Sequence, residues 1–149
     1  MEPYYQIIGA AWNRVGDVGM GSVAKFCNQI IVTANIAAIC ESVAFAEKNG
    51  MDLKLLFDVL KIGSANSNMM ASRTEKILHR NFKPGGPIDT HLKDVRNILK
   101  SADELNVELP ITRELEKMLA KHSEAGNGRL DSSSLLLYYE KNFGIGSAN

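Results

Sequence analysis

Residues 16–50, GDVGMGSVAKFCNQIIVTANIAAICESVAFAEKNG, decide how the rest of the chain is read. The stretch opens on a glycine-rich turn, Gly16, Gly19 and Gly21, then runs to Gly50 with neither glycine nor proline. Gly50 stands where a left-handed residue ends a helix. At 1.5 Å per residue such a helix is roughly 40 Å long, more than most globular helices. Val23, Phe26, Ile30, Ile31, Ile36, Ile39, Val43 and Phe45 spread around most of its circumference. A helix apolar all round belongs in a core, a subunit interface or a membrane. Lys25, Asn28, Gln29, Asn35 and Glu41 interrupt the roughly 20 apolar residues a membrane span needs. The reading is therefore the central helix of a soluble protein.

Lys25, Asn28 and Gln29 fall at i, i+3 and i+4 and share one face near the N-terminal end of that helix. Buried, they would need partners, because an unpaired buried polar group costs about 1–3 kcal/mol. Two readings stay open on these residues alone. Lys25 snorkels to solvent beside two surface amides, or the three converge on a ligand.

The other elements follow from caps and periodicity. Asp52 is placed to cap a short helix carrying Leu53, Leu56, Val59 and Leu60, stopped by Gly63. The polar loop 64–68 caps a helix with Met69, Met70, Ile77 and Leu78, and residues 81–87 form a Pro/Gly loop. Asp89 or Thr90 starts the best amphipathic helix, with Leu92, Val95, Leu99, Ala102 and Leu105 repeating at three and four and Asn106 ending it. Pro110 begins the next, with Leu115, Met118 and Leu119; residues 126–128 form a loop, and Asp131 caps a last helix with Leu135, Leu136, Tyr138 and Tyr139. No strand pattern stands out. The predicted fold is an all-α helical bundle around one long central helix.

With 149 residues the chain is long enough for a core of its own. A formal net charge of zero gives no electrostatic case for nucleic acid or an anionic membrane. Met1-Glu2-Pro3 lacks the basic and apolar regions of a signal peptide. Cys27 and Cys40 lie 13 residues apart on one helix, roughly 20 Å, so they cannot bridge and read as small core residues in a reducing, cytoplasmic setting. His79, His91 and His122 have no ligand-like spacing, and no metal site is expected. Gly16, Gly19 and Gly21 have no strand ahead of them long enough for a βαβ unit, so the chain carries no dinucleotide-binding fingerprint.

The string from Gly16 to Asp52 resembles the start of the helical C-terminal domain of the β-hydroxyacid dehydrogenases. That superfamily includes 3-hydroxyisobutyrate dehydrogenase, 2-hydroxy-3-oxopropionate reductase and, more distantly, 6-phosphogluconate dehydrogenase. The features that carry the resemblance are the G-x-x-G-x-G turn, Lys25, Asn28-Gln29, Glu41-Ser42 and Asn49-Gly50. It continues through Phe82-Lys83-Pro84-Gly85, His91-Leu92-Lys93-Asp94, Leu109-Pro110 and Gly128-Arg129-Leu130-Asp131, covering nearly the whole chain.

The resemblance implies a 6-phosphogluconate dehydrogenase C-terminal-like domain over 16–149. Residues 1–15 would be a remnant of, or linker from, an N-terminal Rossmann domain of the same protein, with Tyr4, Tyr5, Ile7 and Ile8 on its last edge. It further implies an NAD- or NADP-dependent enzyme interconverting a small 2- or 3-hydroxy acid and its carbonyl form. Lys25 is then the general acid/base, suited by half-burial that draws an amine down toward working pH. Gln29 holds it where many members carry Asn. Asn28, Asn66 and Ser67 become candidates to contact substrate, although Ser67 serves equally well as a helix cap. Lys93 becomes a candidate for the nicotinamide edge and carboxamide, or for the substrate carboxylate across the domain cleft, with Asp94 holding that region by hydrogen bonds, although the two also read as an exposed charge pair in a first helical turn. Gly86 departs from the family, where many members have a pocket-closing aromatic eight residues before Asp94; either Phe82 substitutes or the pocket is more open. A homodimer or tetramer is expected from the excess apolar circumference of the long helix. The competing reading is a non-catalytic helical dimerisation or scaffold domain of the same lineage.

Overall fold

Gly19, at φ 96°, opens the long helix α1 (Met20–Lys48), and Gly50, at φ 75°, ends it. Residues 13–145 of the chain are described by a computed structural model. The expectations for Tyr4, Tyr5, Ile7 and Ile8 lie outside those residues. Five further helices follow: α2 (Leu53–Leu60), α3 (Asn68–Leu78), α4 (Ile88–Glu104), α5 (Pro110–His122) and α6 (Leu135–Phe143). A π-type turn, Ser123–Asn127, extends α5, and a 3-10 turn, Ser132–Ser134, leads into α6. No strand occurs among the described residues, and the all-helical bundle is as predicted.

Helix α1 packs most extensively along α6 and also against α2, α3, α4 and α5. Ile36, Cys40, Val43 and Ala44 form its buried stripe and meet Val95 and Leu99 of α4, Leu115 and Leu119 of α5, and Leu135 and Leu136 of α6 in one core. The small side chains Ala37, Cys40 and Ala44 let neighbours approach, so that the Cys40 thiol sits 3.6 Å from the Ser133 carbonyl oxygen. Burial in this apolar setting pushes the Cys40 thiol up to about 12.

Local signals placed several boundaries. Asp52 accepts from the Leu55 N–H at 3.0 Å, Ser67 accepts from the Met70 N–H at 3.1 Å, and Pro110 is the first residue of α5. Other expectations need correction. Neither Asp89 nor Thr90 caps α4, which starts at Ile88 after Pro87 with no side-chain cap. Its first N–H groups are met across the fold, Ile88 donating to the Leu130 carbonyl and Asp89 to that of Gly128. A Cβ at Gly128 would displace the Asp89 carboxylate from its present position at this crossing. Asp131 caps the 3-10 turn rather than α6 itself. Val59 and Leu105 are exposed rather than inward-facing, and on α2 it is Phe57 that is buried.

Composition does not exclude α1 from a membrane, contrary to the sequence argument: an 18-residue window has a mean hydropathy of 1.6. What marks α1 as a core helix is its packing against each of the other helices among the described residues. Burial along it begins only at Gln29, and residues 20–25 are exposed. Cys27 belongs to this less covered end and is exposed, not a core residue as expected.

Candidate functional site

Two helices meet at the emerging end of α1 through matched polar pairs. Gln29 and Thr33 are one turn apart on α1, and His91 and Asp94 are nearly one turn apart on α4. The Gln29 side-chain amide donates to Asp94 Oδ2 at 2.7 Å, and the Thr33 hydroxyl lies 3.3 Å from His91 Nδ1. Asn28 Nδ2 donates to Gln29 Oε1 at 3.2 Å, so the adjacent amides and the carboxylate form one chain of hydrogen bonds. Gln29 is buried, its polar ends taken up by these neighbours, and its orientation is thereby fixed.

Lys25 stands one turn before Gln29 and is exposed. The half-burial expected from an apolar helix is therefore not found in this chain, because the first turns of α1 extend past the helices that pack on it. Its charge nonetheless reaches the site. His91 is held below the usual imidazole range, first by burial and then by the charge of Arg73, with Lys25 adding in the same direction and Asp94 and Asp131 opposing. Lys93 is exposed and its ammonium lies 3.7 Å from Asp94 Oδ1.

The remaining sequence candidates are not brought into this ladder. Asn66 lines a groove between α2 and α3 with Lys54, Asp58 and Lys61. The Ser67 hydroxyl is engaged as the α3 cap. Phe82 packs against the core with the Arg80 guanidinium 5.9 Å over its ring, and Arg80 in turn holds Glu140. Its ring is thus committed to the core, and Gly86 has only backbone to offer the space before His91 and Arg73.

A second cluster, which sequence reasoning missed, adjoins the ladder. Asp131 is fully buried and accepts four hydrogen bonds: from Lys76 Nζ at 2.9 Å, the Gly86 N–H at 3.1 Å, and the Ser133 hydroxyl and N–H at 2.7 and 3.1 Å. Burial pushes its carboxyl up, but Lys76, Ser133 and Arg73 outweigh that and hold it below the usual range. Gly85 passes so close that a Cβ would stand 2.9 Å from both Asp131 Oδ2 and Lys76 Nζ. His91 had a signal, three residues before Asp94 and on its face. Arg73 and Lys76 had none, since they arrive from a helix distant in sequence.

A nicotinamide dinucleotide fits these residues at one edge only. Lys93 and Asp94 offer an exposed donor and a carboxylate oxygen suited to a carboxamide. The glycine turn before α1 is not an open phosphate cradle: the Met20 N–H donates to the Asp17 carbonyl, and those of Ser22 and Val23 donate to that of Gly19. No group of three or more His, Cys, Asp or Glu side chains suited to a metal occurs among the described residues.

An all-α bundle with a lysine–amide face beside a paired carboxylate defines a class, and comparison with known proteins agrees. Residues 19–139 match the family described as NAD-binding of NADP-dependent 3-hydroxyisobutyrate dehydrogenase. The chain belongs to that family, within the β-hydroxyacid dehydrogenase superfamily. It is 34% identical over 136 residues to the 2-hydroxy-3-oxopropionate reductase of Escherichia coli K12, covering 91% of this chain and 47% of the relative. It is 27% identical over 137 residues to the L-threonate dehydrogenase of the same strain, covering 91% and 45%. Among solved structures, a 3-hydroxyisobutyrate dehydrogenase from Salmonella typhimurium superposes with a TM-score of 0.87 at 27% identity, over 91% of this chain and 48% of that one. The chain thus spans a little under half the length of these relatives.

Proposed function

We propose that this chain is the helical C-terminal half of an NAD- or NADP-dependent oxidoreductase that interconverts a small 2- or 3-hydroxy acid and its carbonyl form. The single observation that carries the reading is the Lys25–Asn28–Gln29 face, anchored by the Gln29–Asp94 hydrogen bond of 2.7 Å at the uncovered end of α1. Lys25 Nζ gives its proton to the substrate oxygen as negative charge develops there, and takes it back in the reverse direction. Gln29, braced by Asp94, positions the substrate or the lysine through its amide. Asn28 contacts substrate, and Asn66 and Ser67 remain assigned to the substrate side only through family resemblance. The nicotinamide supplies or accepts the hydride when bound. Lys93 and Asp94 hold its carboxamide edge, and a Rossmann domain preceding residue 16 holds the rest and covers Lys25, giving the desolvation that the chain alone lacks. One wall of a cleft does not transfer hydride, so the isolated chain is inert.

The lack of a side chain at Gly86, with Phe82 packed against the core, supports the more open of the two pockets expected from the sequence. Ile31, Phe45 and Val59 are 62%, 65% and 66% exposed, which supports self-association as a homodimer or tetramer. We place the protein in the cytoplasm, with no nucleic-acid or membrane partner.

The test is Lys25→Ala in the full-length enzyme. Turnover falls by about 10²–10⁴-fold, while cofactor affinity and Tm stay close to the parent's because Lys25 is exposed and unpacked. A variant keeping more than about a tenth of the rate removes Lys25 from proton transfer.

A further inference from the structure

The Arg73 guanidinium sits beside a carboxylate that other donors already fill. Its Nε lies 3.6 Å from Asp131 Oδ1, yet is buried without a hydrogen bond among the described residues. The reason lies in Asp131. A carboxylate offers about four lone-pair sites, and Lys76, the Gly86 N–H and the two donors of Ser133 occupy them all. Arg73 is therefore held near a carboxylate that has nothing left to give it. Nearby, Lys76 is paired with Asp131 and Lys93 with Asp94, which leaves Arg73 and Lys25 as the excess positive charge among these groups. His91 is faced by Arg73 from α3, Asp131 from the loop, Asp94 from α4, and Lys25 and Thr33 from α1. Gly86 lies against the guanidinium: a Cβ there would stand in ordinary contact, 3.5 Å from Arg73 Nη2 and 3.6 Å from His91 Nε2, and a longer side chain would compete with any ligand of Arg73.

We infer that Arg73 is a specificity-determining residue that takes a carboxylate of the substrate over Gly86, separately from the Lys25 ammonium. A planar fork of donors next to a surplus of positive charge matches a carboxylate bidentately, which an ammonium cannot do. The substrate class is then a hydroxy acid whose carboxylate is read by this helical wall. The inference rests on the proposed role of the Lys25 face as the substrate wall.

The test uses this chain and two probes, tartronate as a small hydroxy dicarboxylate and malonamide as an uncharged diamide on the same three-carbon skeleton, with the His91 imidazole followed by NMR. Tartronate should shift the His91 resonances saturably and raise the pH at which His91 titrates, because a bound anion offsets the Arg73 charge; malonamide should do neither. Arg73→Gln should weaken tartronate at least about tenfold, the loss of one charge-assisted pair. Arg73→Lys, which keeps the charge and secures the test if the glutamine variant does not fold, should weaken it by a smaller factor. Absence of saturable binding by the parent chain, equal binding of malonamide, or undiminished binding by Arg73→Gln or Arg73→Lys each overturns the inference. A negative result leaves proton transfer by Lys25 standing, since that is judged by turnover of the full-length variant.

Discussion

Asp94 and Asp131 are the same side chain in neighbouring positions of one polar region, and they do opposite things. Asp131 is fully buried, accepts four hydrogen bonds and joins α3, the 85–86 turn and the start of the 3-10 turn. Asp94 keeps 23% of its side chain exposed and takes one short hydrogen bond from Gln29, with Lys93 at 3.7 Å. A carboxylate whose lone pairs are all filled by the fold holds elements together and has none left for a ligand. One with an oxygen still open can exchange partners as a ligand arrives. Arg73 lies between the two regimes, 3.6 Å from the saturated carboxylate and beside Gly86.

The strongest way to break this contrast is Asp131→Ala. Removing a buried carboxylate leaves Lys76 and Arg73 uncompensated and should lower stability by about 3–5 kcal/mol, read as a shift of the urea midpoint at unchanged slope. A loss below about 1 kcal/mol would put Asp131 in the same class as Asp94.

A smaller effect comes from pH and locates stability outside both carboxylates. His122, packed between Ser134 and Asn127, is driven by burial from 6.5 down to about 4. The unfolded chain takes up this proton first as pH falls. The neutral-histidine contribution is thus present above about 6.5 and lost progressively toward pH 4, a total of about 2–3 kcal/mol. His91 is shifted in the same direction and adds to the trend. Urea melts at pH 7 and 4.5 measure it, and His122→Gln should flatten the slope. A parent protein no less stable at pH 4.5 would contradict the assignment.

The smallest expected effect is Gln29→Leu, which removes the donor to Asp94 but leaves the carboxylate able to find water. The fold should lose about 0.5–1.5 kcal/mol, while the full-length enzyme loses activity out of proportion to stability. Equal, small losses in both would make the Gln29–Asp94 bond a mere helix contact.

Much of the helical frame was legible because its signals act within a turn of themselves. Gly50 ends α1 through its own positive φ, Asp52 and Ser67 cap with their own side chains, and Pro110 opens α5 because its missing N–H is of no consequence there. The start of α4 was misplaced for the complementary reason: its first N–H groups are satisfied by Leu130 and Gly128, some forty residues away, so no local cap was needed. Lys25, Asn28 and Gln29 could be grouped by spacing alone. The exposure of Lys25 could not, because it depends on where the other helices stop covering α1.

The sequence by itself therefore determined the all-helical class, the length and limits of the central helix, and a lysine–amide face upon it. Each of these depends on periodicity and on capping chemistry within one helical turn. Only the tertiary structure decided that Gln29 meets Asp94 across 65 residues, that Asp131 is saturated by Lys76, Gly86 and Ser133, and that the buried Arg73 Nε beside it makes no hydrogen bond among the described residues. Hydrogen bonds between distant residues are fixed by which helix faces pack together, and the apolar core of Val43, Val95, Leu119 and Leu135 sets that packing without regard to the polar groups carried alongside.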